Sequence, residues 1–191
     1  MKKVVLTLLF LGVGFSQTVF AETTLTFGPD ISDIRSSIKY SVLGRYYAVF
    51  DQYKGRLVIG DNDVIKSVAL EIQVATIHSP HPSLDKIVRS KQLLDVEKFP
   101  KIIFQSKEIL KTDNTYQVTG ALTMHGVTKD ISSPFMVVEG QDGKKMIKGE
   151  WVIARKEFGV IWNKILDKGG IMVGNHITVE WEIELPKGEE K

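Results

Sequence analysis

The strongest constraint on this chain is an alternation of apolar and polar residues at period two. Val68, Leu70, Ile72, Val74 and Thr76 share one face of an extended segment, and Glu71 and Gln73 share the other. Ile177, Val179, Trp181, Ile183 and Leu185 repeat the pattern against Thr178, Glu180, Glu182 and Glu184. Successive side chains of a strand point to opposite faces, so each segment reads as a half-buried strand rather than a helix. Weaker versions cover residues 37–42, 53–59, 101–110, 115–124, 127–138 and 146–153, which brings the expected total to about eight.

Short polar links separate these segments: Gly60-Asp61-Asn62-Asp63, Thr112-Asp113-Asn114, His125-Gly126 and Gln141-Asp142-Gly143. Each supplies residues that tolerate positive φ, and none is long enough for a parallel crossover. The sheet is therefore expected to be antiparallel and mostly up-and-down. One stretch breaks the pattern. Leu84, Ile87, Val88, Leu93 and Leu94 recur near helical spacing, behind a possible Ser83 cap and ahead of Phe99-Pro100, which predicts a short helix between strands. An antiparallel sheet of about eight strands closes into a barrel because closure removes its unpaired edges. Alternation is the same for a hollow and a filled barrel, so both remain open at this point.

The N-terminus reads separately. Lys2 and Lys3 precede an apolar run over residues 4–15, and small residues stand at Val19 and Ala21. That is the pattern of a cleaved secretory leader over residues 1–21, with cleavage expected after Ala21 and a single domain over 22–191. The run is too short to span a bilayer. The two lysines also account for the whole excess of 25 basic over 23 acidic residues. The exported domain is thus near neutral, and no electrostatic footprint for nucleic acid is expected. There is no cysteine. That excludes disulfides, thiolate metal sites and a thiol nucleophile, and a periplasmic or secreted destination is expected.

Four blocks of residues carry a family resemblance. They are Arg89-Ser90 with 94–106 (Leu94-Asp95-Val96-Glu97-Lys98-Phe99-Pro100 onward), 116–129 around Met124-His125-Gly126-Val127-Thr128-Lys129, Arg155-Lys156-Glu157-Phe158-Gly159-Val160, and Val173-Gly174-Asn175-His176-Ile177. In this order they resemble the YceI-like periplasmic proteins. The resemblance implies a lipocalin-like barrel holding a polyisoprenoid chain, such as a polyprenyl phosphate or a quinone tail, without enzymatic activity and with no cofactor beyond that lipid.

Candidate ligand-lining residues are the larger apolar side chains on strand faces: Tyr40, Leu57, Ile72, Phe104, Tyr116, Leu122, Phe135, Trp151 and Trp181. An ordinary packed core is the competing reading of each. Phe158, Trp162, Ile165 and Leu166 stand in or beside a Gly-bounded stretch, where a flap over the barrel mouth or a loop packed on its outer wall would explain them. Arg155 offers a fork of donors to a headgroup, with a structural salt bridge as its alternative. A metal-binding function would use His78 and His81, three residues apart, with His125 or His176. Pro80 and Pro82 stiffen that segment, four His without Cys make a weak ligand set, and no metal site is expected. A third alternative is a surface-acting adaptor with a filled barrel. No nucleophile or metalloprotease motif occurs, so no catalytic residue is assigned.

Overall fold

The computed structural model describes residues 22–40, 44–113, 115–140, 143–162 and 173–185. The strands are β1 (Thr23–Phe27), β2 (Ser32–Tyr40), β3 (Gly44–Phe50), β4 (Tyr53–Ile59), β5 (Ile65–Gln73), β6 (Ile77–His78), β7 (Lys101–Thr112), β8 (Thr115–Met124), β9 (Val127–Glu139), β10 (Lys145–Ala154) and β11 (Val173–Glu184). Among the described residues one α-helix, α1 (Pro82–Arg89), stands between β6 and β7. All eleven strands belong to one antiparallel sheet, in the order β1-β4-β5-β7-β8-β9-β10-β11-β2-β3-β6.

The eleven strands lie on eight passes of the chain, because β1 runs into β2, β3 into β4 and β5 into β6 through short kinks. The first two passes pair twice, from Tyr40↔Gly44 to Arg35↔Val49 and again from Phe27↔Gly55 to Thr23↔Ile59. The last pass returns to the first, with Ile183↔Ser32 through Ile177↔Ile38 between β11 and β2. The sheet curls round on itself, and the fold is a lipocalin-like all-β barrel. Inward residues of neighbouring passes form its core, including Leu57, Phe104, Val118, Leu122 and Ile147, each at most 2% exposed.

Three strands escaped the alternation. In β1, three of five residues are exposed threonines or follow them along an outer edge, and β3 reads Gly-Arg-Tyr-Tyr-Ala-Val-Phe, where the outward Tyr47 and Val49 are as apolar as the inward side chains. β6 has only two residues. The strand expected to reach Thr76 ends at Gln73, because the Thr76 hydroxyl donates back to the Gln73 carbonyl (2.8 Å) and closes a 3-10 turn over Val74–Thr76. The helix also differs from expectation. Its N-cap is His81, without a side-chain cap bond, and Pro82 takes the first helical position, where a missing N–H costs nothing. It stops at Arg89, so Leu93 and Leu94 lie in turns beyond it.

Candidate ligand cavity

Three apolar cavities lie among the inward side chains of the barrel. A cavity of about 120 Å³ lies at one end, under α1, walled by Leu84, Val88, Tyr40, Tyr46, Trp162 and Arg155 among others. It shares Ser36, Ile77, Leu94 and Ile177 with a second cavity of about 90 Å³ in the middle of the barrel, where Phe104, Leu122, Ile72 and Trp151 face inward. The second in turn shares Ile34, Leu70 and Trp151 with a third of about 30 Å³, bounded by Leu57, Phe135 and Trp181. Shared walls place the three in series, tapering from the helix end inward. The inner cavity is lined by apolar side chains throughout, and Ser36 is the one polar residue on the middle one.

An aromatic cluster forms the narrow end. Phe104 tilts against Trp151 (ring centroids 4.8 Å), Trp151 against Trp181 (5.6 Å) and Trp181 against Phe135 (5.8 Å), and Phe135 stacks on Tyr116 (4.8 Å). The Trp181 ring lies over Gly149 on the neighbouring strand, where a Cβ would stand 2.3 Å from it, so the close approach requires glycine. The indole Nε1 atoms of Trp151, Trp162 and Trp181 are buried and have no hydrogen-bond partner among the described residues.

Helix α1 covers the wide end and is latched there. Its Asp85 is 2% exposed, yet it accepts hydrogen bonds from the Tyr46 hydroxyl (2.7 Å), the Ser79 hydroxyl (2.7 Å) and the Ser79 N–H (3.0 Å), with the Arg89 guanidinium 3.8 Å away. Burial alone would raise the carboxyl's pKa; the Ser79 and Tyr46 bonds outweigh it and hold the group below its ordinary value. Burial, then the bond to Asp85, pushes the Tyr46 phenol well above its usual range. With its folded pKa depressed, Asp85 stabilises the latch above the ordinary carboxylate range, and that stability is lost as pH falls through the folded value. Asp85→Asn offers one acceptor where two are used and turns an amide N–H toward donors. It is expected to cost about 1–3 kcal/mol, read as faster amide exchange over residues 79–90 at neutral pH; unchanged exchange there would refute the latch.

Opposite α1, Arg155 is 2% exposed. Its Nε donates to the Gly174 carbonyl (2.8 Å), Nη1 to Val160 (2.5 Å) and Nη2 to Val173 (3.2 Å). The pairing of β11 with β2 shifts register between Val173 and Ile177, and Arg155 takes up the Val173 and Gly174 carbonyls at the start of that bulge. Among the described residues no carboxylate pairs with Arg155, and three of its nitrogens donate to backbone carbonyls instead. Burial lowers its pKa, but a guanidinium remains charged.

The same rim joins the remaining blocks of the sequence. His125 and Gly126 both adopt positive φ, 51° and 75°, in the β8–β9 hairpin. The Phe99 ring packs on His125 (4.3 Å) and over Gly126, where a Cβ would be 2.6 Å from it. His125 Nδ1 lies 3.2 Å from the Phe158 carbonyl, and Lys129 pairs with Glu157 (3.1 Å). His125 is therefore a clasp rather than an exposed turn residue.

The sequence candidates distribute as follows. Tyr40 and Trp162 line the outer cavity, Ile72, Phe104 and Leu122 the middle one, Leu57, Phe135 and Trp181 the inner one, and Trp151 both of the last two. Tyr116 and Phe158 are buried behind these walls, Phe158 in a 3-10 turn over Arg155–Phe158. Ile165 and Leu166 lie outside the described residues. His78 is exposed, with Nδ1 3.2 Å from an Asp51 oxygen, while His81 caps α1 and His176 is exposed on β11. Among the described residues no three His, Cys, Asp or Glu side chains are grouped as metal ligands. Sequence reasoning missed the latch of Tyr46, Ser79 and Asp85: Asp85 reads as a solvated charge at the start of a helix, and nothing local announces its burial.

A curled antiparallel barrel with a series of apolar cavities and one covering helix defines a lipocalin-like class. More particularly, the chain belongs to the YceI-like domain family, whose model matches residues 21–185. A UPF0312 protein of Yersinia pestis is 33% identical over 100 residues, 52% of each chain, so the match spans about half the length of that relative. Among solved structures, BcnA of Burkholderia cenocepacia superposes with a TM-score of 0.70 at 20% identity, over 81% of this chain and 96% of BcnA. A polyisoprenoid binding domain from Saccharophagus degradans does so with 0.60 at 12% identity, over 86% and 97%. At these identities the likeness is one of fold.

Proposed function

We propose that this protein binds an isoprenoid lipid, with its chain threaded along the apolar interior from the α1 end toward Trp151 and Trp181. The series of three apolar cavities that share walls carries this reading. Membership of the YceI-like family supports it, as does the fold shared with a domain described as polyisoprenoid binding. Burying a prenyl chain gains about 0.8 kcal/mol per CH₂, so affinity needs no polar anchor, and cavity length can set specificity. The chain would lie against Tyr40, Trp162, Ile72, Phe104, Leu122, Leu57 and Phe135, with Tyr116 and Phe158 backing them. Arg155, a cation at the wide end, is the residue an anionic headgroup such as a prenyl phosphate would meet.

The proposed role is carriage or storage rather than catalysis, in the periplasm, and the leader-like pattern of residues 1–21 supports that destination. Native mass spectrometry of the protein exported by a Gram-negative host and purified without detergent tests both points. The expected spectrum shows a polypeptide beginning at Glu22 carrying an apolar, isoprenoid-sized adduct. A bare polypeptide that also takes up no added geranylgeraniol would overturn the ligand, and a retained Met1 would overturn the localisation.

A further inference from the structure

The two ends of the barrel differ in charge. Lys39 and Arg45 stand directly opposite each other where β2 pairs with β3, at the α1 end, and both are exposed. Like charges opposed across an antiparallel pair destabilise it, so the fold itself gains nothing from this pairing. Lys156 joins the same rim: its N–H donates to Asn175 Oδ1 (3.3 Å), and on the neighbouring Gly174 a Cβ would stand 3.4 Å from the Cβ of Lys39. Lys86 adds an exposed cation from α1. None of these four pairs with a carboxylate among the described residues. Most acids near them are engaged, Asp85 in the latch, Glu97 with Lys91 (3.7 Å) and Glu157 with Lys129 (3.1 Å); half-buried Asp95 is the exception. At the far end of the barrel the described acids Asp61, Asp63, Asp113, Glu139 and Glu184 more than offset Lys66, Lys111, Lys144 and Lys145.

Large apolar side chains are exposed among these cations. Ile87 is 36% exposed and also walls the outer cavity, and Ile161, 52% exposed, stands between Val160 and Trp162, which wall it too. Tyr47 is exposed on the same outward face of β3 as Arg45. Cations, aliphatic side chains and a tyrosine around an apolar opening match a bilayer interface, where anionic headgroups lie over hydrocarbon. We propose that the α1 end docks on an anionic lipid bilayer, with Lys39, Arg45, Lys86 and Lys156 against the headgroups and Ile87 and Ile161 dipping into the interface. The acidic far end is turned away by the same field. Docked in this way, the outer cavity opens toward the bilayer, and a lipid passes between the two without crossing water. This rests on the lipid reading above and extends it, by naming the surface from which the ligand comes.

Co-sedimentation of the exported protein with extruded vesicles tests the docking, using phosphatidylcholine alone and phosphatidylcholine with about 30% phosphatidylglycerol. Binding should be at least about tenfold tighter on the anionic vesicles, and it should weaken as salt rises from about 0.05 to 0.5 M. A lysine beside such a surface contributes about fivefold in affinity, so the triple variant Lys39→Gln, Lys86→Gln, Lys156→Gln should bind about a hundredfold more weakly. Its melting temperature should be unchanged, because the three side chains are exposed. The far-end pair Lys66→Gln, Lys111→Gln should stay within about twofold of wild type. Equal binding to the two vesicles, binding to neither, or a loss in the far-end pair as large as in the triple variant would overturn the proposal. Titration of geraniol into the same proteins separates the two readings. Geraniol bound alike by wild type and triple variant, with the vesicles ignored, would leave the lipid reading standing and the docking refuted. Vesicle binding lost only in the triple variant, from a wild type that takes up no geraniol, would uphold the docking and remove the ligand.

Discussion

Arg155→Met is expected to lower the stability of the protein by about 3 kcal/mol or more, roughly 6–12 °C in melting temperature for a domain of this size. The side chain it removes is buried and holds the carbonyls of Val160, Val173 and Gly174, the last two at the register shift of β11. Methionine fills a similar volume but donates nothing, so those carbonyls lose their partners where little water reaches. Arg155→Lys should recover only part of the loss, since one ammonium cannot reproduce a planar fork aimed at three acceptors. Thermal melting of the three proteins gives the comparison. Below the melting transition the same variants report on the headgroup: affinity for a prenyl phosphate should fall in Arg155→Met, and that for a neutral prenol should not. A melting temperature within about 2 °C of wild type would show that the carbonyls find water, and that the bulge does not depend on this residue.

The barrel was legible in the sequence wherever one face of a strand is wet. β8 and β11 alternate because their outward side chains are Thr, Gln and Glu, and the pattern failed at β3, where Tyr47 faces outward at 61% exposure and masks the period. The inward placement of the candidate residues was legible for the same reason. Hollowness was not, because alternation records which way a side chain points and not whether atoms fill the space beyond it. The rim was legible only as blocks of resemblance. Phe99, His125-Gly126, Arg155–Phe158 and Val173–His176 are distant in sequence, and only the fold brings ring on ring and guanidinium onto carbonyl. The Asp85 latch left no trace, since its partners Tyr46 and Ser79 come from separate elements and each is unremarkable alone.

Leu122→Trp is expected to close the barrel to long ligands while leaving it folded. Leu122 is 2% exposed, pairs in register with Phe104, and faces the middle cavity of about 90 Å³ through which a chain must pass to reach Trp151 and Trp181. In a filled core an indole at this position would force neighbouring side chains off their rotamers at about 1–3 kcal/mol. Here part of the ring can occupy space that is already empty, so the cost should fall at the low end of that range. Ligand affinity should respond far more. A chain stopped at Leu122 leaves at least four CH₂ groups unburied, about 3 kcal/mol, which is roughly a hundredfold in dissociation constant. The loss should depend on length: geranylgeraniol should bind about a hundredfold more weakly, whereas geraniol, short enough for the outer cavity under α1, should keep its affinity. Titration of both prenols into wild type and variant, with melting curves alongside, separates the outcomes. If geranylgeraniol binds a folded Leu122→Trp protein as tightly as wild type, the chain does not run through the middle of the barrel, and the ligand sits elsewhere.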